Sequence, residues 1–479
     1  MDIHAQNTRP SVGLFVGAGV AAGVGSIALL WLIIVEQNTK AGDFVLKPEP
    51  CRVTTNANQG TTDFLRNLGG AETSTLPDEY SRNAHIHLPP NFSAFDSVTQ
   101  AVELAARQNV RVLGASNYYD YHVYRAFARE AQRRGIFPLF GLEIITFDPE
   151  LAQAQIKVND PGNPGKMYVC GKAITRFDPM NSEAERLLAA IRDNDSARMA
   201  QVIEALNTVF AQARVNADLT ESGIKAAVSQ ACKCPIAWVY LQERHVARAF
   251  ADVVLDRVTD EERASILTRL FGTASKNPQS AAVVQNEIRA HLMKAGRPAY
   301  VAETFVDLDH AYRLICALGG IPCYPVLADG ANPICAYEAD PASLVTELQK
   351  RDVFCAEFIP VRNAPDVLTR YVRTLRDAGF VITAGTEHNT PDLIPLTPTC
   401  LNGELIPAEA DAIFREGVCV LAAHQFEVAN GRPGFVDSGG QLCPGFTSND
   451  DRIRAFARIG ADVLARFAQT HPFTQTGAA

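Results

Sequence analysis

Only ten histidines occur in the chain, and two of them, His85 and His87, stand two apart in "NAHIHLPP". On an extended strand, residues i and i+2 project from the same face. The Pro-Pro pair that follows ends such a strand. The spacing therefore predicts two imidazoles side by side at a strand end. That arrangement suits a divalent metal, and it equally suits two histidines that cap the strand and bond locally. Other reactive side chains stand where short apolar runs finish: Asn117, Glu143, Tyr324, Glu357, and Glu387 with His388. Each has a plain explanation alone, Glu143 as a helix cap and Glu387–His388 as a surface turn. Together, histidines and carboxylates at separate strand ends favour a divalent site that activates water for hydrolysis. His424, in "VLAAHQF", reads instead as a core histidine with one partner.

Positioning these groups requires strands alternating with helices, and the sequence supplies the pattern. "AFDSVTQAVELAARQ" has helical spacing with Asp96 near its start, "VRVLGASN" reads as a buried strand, and "YHVYRAFAREAQRRG" as a helix ending on Gly135. "IFPLFGLEII" reads as one strand, and "IKVNDPGNPGKMYVCGKAI" as a hairpin around a turn-rich middle. Residues 181–300 are helix upon helix, after which alternation resumes up to "FVITAGTEH". This order predicts an α/β fold with a parallel sheet or barrel, whose functional groups gather at the carboxyl ends of strands. The expected divisions are a tail at 1–10, a linker at 36–80, a first barrel part at 81–180 and a helical insertion at 181–300. A second barrel part with a C-terminal extension at 301–467 and a tail at 468–479 complete them. Within the extension, a closing helix is expected from about Asp450 to Phe467.

A formal net charge of -9 without a Lys/Arg-dense run argues against a nucleic-acid face. Eleven cysteines without CxxC pairs suit a reducing, cytosol-facing compartment. Residues 11–35 contain no charged side chain, long enough for a transmembrane helix, and their Gly13/Gly17 and Gly19/Gly23 spacings suit helix pairing in lipid. Lys40, Lys47 and Arg52 follow the run, which favours a cytoplasmic domain anchored at the inner face of a membrane. A buried glycine-rich helix, or an over-extended gene start, accounts for the same residues.

From about 83 to 395 the chain resembles the polymerase and histidinol phosphatase (PHP) superfamily, nearest its nucleotide phosphoesterase branch. The resemblance rests on "AHIHL…NFS", "FPLFGLEI", "ERHVARAF", "HLMKAGRPAYV" with "AYRLICALGGIP", and "VITAGTEHNTP", in the family's order. It implies a distorted (β/α)7 barrel with a helical insertion. It also implies one metal held by His85, His87, Glu143 and Glu387. Arg244 and His245 of the insertion would then hold an anionic substrate group, and His388 or a tyrosine such as Tyr324 would handle a proton. Around these would lie Asn117, Tyr118, Tyr168, Glu357 and Asn389.

The departures fall on the family's other metals. "ASNYYD" has Asn117-Tyr118 where the family has Asp-His, "KMYVCG" places Tyr168 at a ligand histidine, "CYP" places Tyr324 at another, and Asn389 stands at the final histidine. Neutral tyrosine is a poor ligand for a divalent ion and a good hydrogen-bond donor. The pattern implies a single retained Zn, Mn or Fe ion and a phosphoesterase acting on a small anionic molecule or nucleotide. Two alternatives stay open: a silent binding or scaffold protein on the same fold, and a one-metal hydrolase of C–N bonds.

Overall fold

A computed structural model describes residues 60–68, 80–390 and 392–475. The apolar run at 11–35 and most of the expected linker lie outside the described residues. Among the described residues, no helix is long and apolar enough to cross a membrane.

Strands β1 (Ser81–Ile86), β2 (Val110–Ala115) and β3 (Phe137–Phe140) form a parallel sheet in that order. Strands β4 (Leu142–Phe147), β5 (Lys166–Lys172), β6 (Ile321–Val326), β7 (Cys355–Phe358) and β8 (Val381–Ala384) form a second sheet, also in chain order. There β5 runs antiparallel to both β4 and β6, and β6, β7 and β8 are parallel. Where the resemblance implied seven strands, the described residues form eight: the single strand read in "IFPLFGLEII" is two, and of the hairpin read in "IKVNDPGNPGKMYVCGKAI" only Lys166–Lys172 is a strand, paired with Leu142–Phe147.

The break falls at Gly141, where a Cβ would lie 2.8 Å from both the Gly171 carbonyl oxygen and Ser116 Oγ. Only glycine lets the backbone pass so close, and the chain uses it to change sheets. β3 stays with β2, while β4 turns to pair with β5, setting Glu143 opposite Cys170. The two sheets touch at both margins. The Thr386 and Glu387 amides donate to the His85 carbonyl (3.1 and 2.9 Å), His87 N donates to Glu387 O (2.8 Å), and Glu143 N donates to Asn117 O (3.3 Å).

The helices are α1 (Asp63–Arg66), α2 (Val98–Arg107), α3 (Val123–Arg133), α4 (Pro149–Gln153), α5 (Ser182–Gln212), α6 (Glu221–Cys232) and α7 (Glu243–Arg257). They continue as α8 (Asp260–Phe271), α9 (Ala281–Ile288), α10 (Leu308–Ala317), α11 (Pro341–Gln349), α12 (Pro365–Asp377), α13 (Ala408–Ala429) and α14 (Asn449–Thr470). Their starts are capped as sequence chemistry dictates: Ser97 Oγ accepts from Gln100 N, and Asn181 Oδ1 from Ala184 N. α3 gives way to Gly135, whose φ of 68° is the left-handed turn expected after a helix.

Three apolar clusters follow from this layout. One lies between strands and flanking helices. A second joins Ala84, Cys170, Cys323 and Val381 to α13 and α14. The third belongs to residues 199–299 alone, where Phe210 and Phe250 meet edge to face at 4.8 Å. A π-helical turn, Arg289–Met293, follows α9.

Candidate metal centre and its cavity

At the end of β1 the two imidazoles are fully buried, as is Glu143 on β4. His85 Nε2 and His87 Nε2 are 3.3 Å apart, and Glu143 Oε2 lies 3.2 Å from each. Three ligand-type atoms thus form a nearly equilateral triangle. In a tetrahedral site with metal bonds of about 2.0–2.1 Å, ligand atoms stand roughly 3.3 Å from one another. The donor set therefore fits a divalent cation. His87 Nδ1 is buried without a hydrogen-bond partner, and the buried Glu143 Oε2 faces only the two imidazole nitrogens, a carboxylate oxygen that a cation would satisfy.

The surroundings aim these atoms. Tyr118 Oη donates to Glu143 Oε1 at 2.6 Å, leaving Oε2 for the triangle, and the Tyr118 ring stacks on His87 with centroids 5.1 Å apart. Glu357 Oε1 meets His85 Nδ1 at 2.7 Å, which fixes a proton on Nδ1 and leaves the Nε2 lone pair facing Glu143. Lys172 Nζ pairs with Glu357 Oε2 at 2.5 Å. Burial opposes charge on His85, yet Glu357 and the bonds to Glu143 and Glu357 outweigh it and push the imidazole up to about 9. Burial would raise Glu143, but hydrogen bonds from both histidines hold it well below the usual carboxylate range. Burial lowers His87. Without an ion, then, the site draws positive charge as a proton.

Cys170, opposite Glu143, offers a thiol within 4.8 Å of the His85 and Glu143 ligand atoms. Burial and the Glu357 charge push that thiol well up, so it stays protonated, and the tighter triangle with His87 is the better-formed donor set.

Glu387 reaches the same cavity but is held by Arg362, whose two nitrogens donate at 2.9 and 2.5 Å, and by Asn389 Nδ2 at 2.8 Å. Its carboxylate is thus engaged beside the triangle rather than within it. The cavity measures about 530 Å³ and is lined by Tyr118, Tyr168, Arg244, Arg289, Lys294 and Arg362, among others. Arg244 makes no hydrogen bond or ion pair among the described residues, and burial with the Arg289 charge lowers its pKa. Glu243 meets Arg198 (2.9 Å), Lys294 (3.0 Å) and Arg289 (3.6 Å), and Glu303 shares Arg198 (3.2 Å). Arg244 is thus the cation of that wall left without a carboxylate, as an anion site requires.

Three residues expected in catalytic roles stand elsewhere. His388 Nδ1 meets Thr386 Oγ1 (2.8 Å) and its Nε2 the Ile394 carbonyl (2.9 Å), so both ring nitrogens are spent on local structure. Tyr324 donates to Glu338 Oε1 (2.9 Å) on the face of β6 opposite Cys323 and Pro325, and it is Pro325 that lines the cavity. His245 Nδ1 accepts from Gln242 N (3.1 Å) at the start of α7, a capping role. Asn117 clamps both backbone polar groups of Leu88 (2.8 and 2.9 Å). His424, buried in α13, bonds Gly319 O and Phe435 N as a core histidine. Sequence reading missed Lys172, Arg289 and Lys294. The period-2 alternation Tyr168, Cys170, Lys172 on β5 was the available signal for the first.

No family model and no curated protein sequence matches the chain. Two solved structures are similar at a TM-score of 0.47, each over 70% of this chain and 96% of its own. One is an amidohydrolase from Chromobacterium violaceum with bound sulfate and no metal, 17% identical. The other is a candidate metal-dependent phosphoesterase from Bifidobacterium adolescentis, 13% identical. Likeness at this level assigns neither family nor activity.

Proposed function

We propose that the protein is a hydrolase of PHP type that depends on one divalent ion and acts on a small phosphoester. The two sheets, touching at both margins, would be a distorted barrel interrupted by the helices of 182–293. The single observation that carries the reading is the triangle of His85 Nε2, His87 Nε2 and Glu143 Oε2, with edges of 3.2–3.3 Å. A bound ion supplies Lewis acidity and lowers the pKa of water there.

The chain's own residues do the rest. Tyr118 and Glu357 orient the ligands, Arg362 and Glu387 close one wall, and Arg244, Arg289 and Lys294 attract the anionic group. The cation-rich wall favours a phosphoester over a neutral amide, which would leave Arg244 unanswered.

Metal content by mass spectrometry, with hydrolysis of bis-p-nitrophenyl phosphate beside a p-nitroanilide, tests the reading. The expected result is one tightly held ion per chain, lost in Glu143→Ala, and cleavage of the phosphate ester alone. Cleavage of the anilide alone would transfer the protein to C–N hydrolysis. Growth with added Mn, Fe and Zn that yields no bound metal would leave a silent binding protein as the better account.

A further inference from the structure

Beneath His85 lies a second charge centre that the hydrolytic reading does not need. Lys172 on β5 is fully buried, its side chain 1% exposed. Its ammonium sits 2.5 Å from Glu357 Oε2, 3.4 Å from the Ala84 carbonyl oxygen, 3.4 Å from His85 Nδ1 and 3.5 Å from Ser116 Oγ. Three oxygens, drawn from β1, β7 and the exit of β2, thus converge on one fixed cation, while the nearby His85 Nδ1 gives its proton to Glu357. Lysine is among the residues least often buried, and an unpaired one in such a place would not stay charged. Here the Glu357 carboxylate, 2.5 Å away, supplies the counter-charge. Glu357 in turn bridges the two, one oxygen toward Lys172 and the other toward His85 Nδ1 at 2.7 Å.

We propose that Lys172 is a built-in cation of the metal centre. Its ammonium pairs with Glu357, Glu357 holds the His85 imidazole with Nε2 toward the site, and the same ammonium neutralises the carboxylate that a further divalent ion would otherwise have to balance. Lys172 is accordingly a positioning residue, and it accounts for a one-ion site in a cavity that keeps several carboxylates. The inference rests on the one-ion reading above.

Zn²⁺ affinity by competition with a chelator, and the visible spectrum of the Co²⁺-loaded full chain, decide it. Lys172→Met should weaken Zn²⁺ binding by about 10- to 100-fold, as loss of a group supporting a ligand does. It should also shift the Co²⁺ bands, because His85 is no longer held in one orientation. A folded Lys172→Met chain with wild-type affinity and spectrum would overturn the proposal. If Lys172→Met alone does not fold, Lys172→Met with Glu357→Gln removes the stranded charge. That double variant should fold and still bind Zn²⁺ more weakly, and wild-type affinity in it would equally overturn the proposal. A wild-type chain that binds no Zn²⁺ or Co²⁺ would instead remove the hydrolytic reading, and this inference with it.

Discussion

Glu387 and His388 are neighbours in sequence and separate in the fold. Both have positive φ, 60° and 54°, a left-handed conformation that costs non-glycine residues about 1–3 kcal/mol each. The turn sends Glu387 into the cavity and folds His388 back onto Thr386 and Phe95. A sequence that reads "TEHN" does not announce which of two adjacent polar residues faces inward. Elsewhere, burial rather than pairing sets a residue's behaviour. Asp195 lines the cavity near Arg198, but that guanidinium already answers Glu243 (2.9 Å) and Glu303 (3.2 Å), so burial pushes Asp195 up to about 7. Its unfolded value is about 3.9. Between those values the folded chain keeps a proton that the unfolded chain has lost. This group therefore makes stability fall as pH rises from about 4 to 7. Asp195→Asn should flatten that part of the profile, raising stability at pH 7.5 relative to wild type and leaving it little changed near pH 4. Urea unfolding at the two pH values measures it, and parallel pH profiles for variant and wild type would contradict it.

At the scale of elements, β1 places the imidazoles, and its margin with β8 keeps it in place. Gly385 follows β8 where a Cβ would stand 2.4 Å from His85 Cβ, closer than carbon atoms approach. Gly385→Ala must push β1 and β8 apart, at a cost of about 1–3 kcal/mol typical of overpacking. The same shift moves His85 against Glu143, so ion affinity should fall along with stability. Denaturant midpoints and Zn²⁺ titration check both, and a destabilised variant with unchanged affinity would mean that His85 is not held by this margin. Much of this level was legible: the period-2 imidazoles, the helices on either side of β2 and the closing helix, at Asn449–Thr470, follow from spacing and caps. The split of "IFPLFGLEII" was not, because Gly141 acts through Gly171 and Ser116, which are distant in sequence or on another strand. Tyr324 misled for a related reason. Motif alignment set it at a ligand position, while the pleat of β6 turns it outward to Glu338. Lys172 was invisible because a lysine in a strand reads as an edge or surface residue until Glu357 is brought beside it.

For the whole molecule, the ligand triangle draws on both sheets, His85 on β1 with His87 just after it and Glu143 on β4, whereas residues 199–299 have an apolar cluster of their own. An ion bound to the native state adds stability by mass action, about 2.7 kcal/mol when free ion exceeds Kd a hundredfold. That gain is felt only by openings that break the site. Opening β1 or β4 separates the ligands and forfeits the ion, while opening α6 or α8 breaks none of the three ligand contacts. Hydrogen exchange on the full chain, with and without saturating Zn²⁺, should therefore slow in 81–90 and 137–147 and stay unchanged in 221–271. Equal slowing throughout would show that the helices open only together with the sheets, so that the third cluster is no independent unit. Slowing confined to 221–271 would place the ion on the helices and contradict the triangle as its site. The helices still matter to chemistry through α7 and the π turn, which bring Arg244, Arg289 and Lys294 over the triangle. A wall that can open without losing the ion is one that can admit an anion as large as the cavity allows, and the exchange pattern separates that division of labour from a single rigid body.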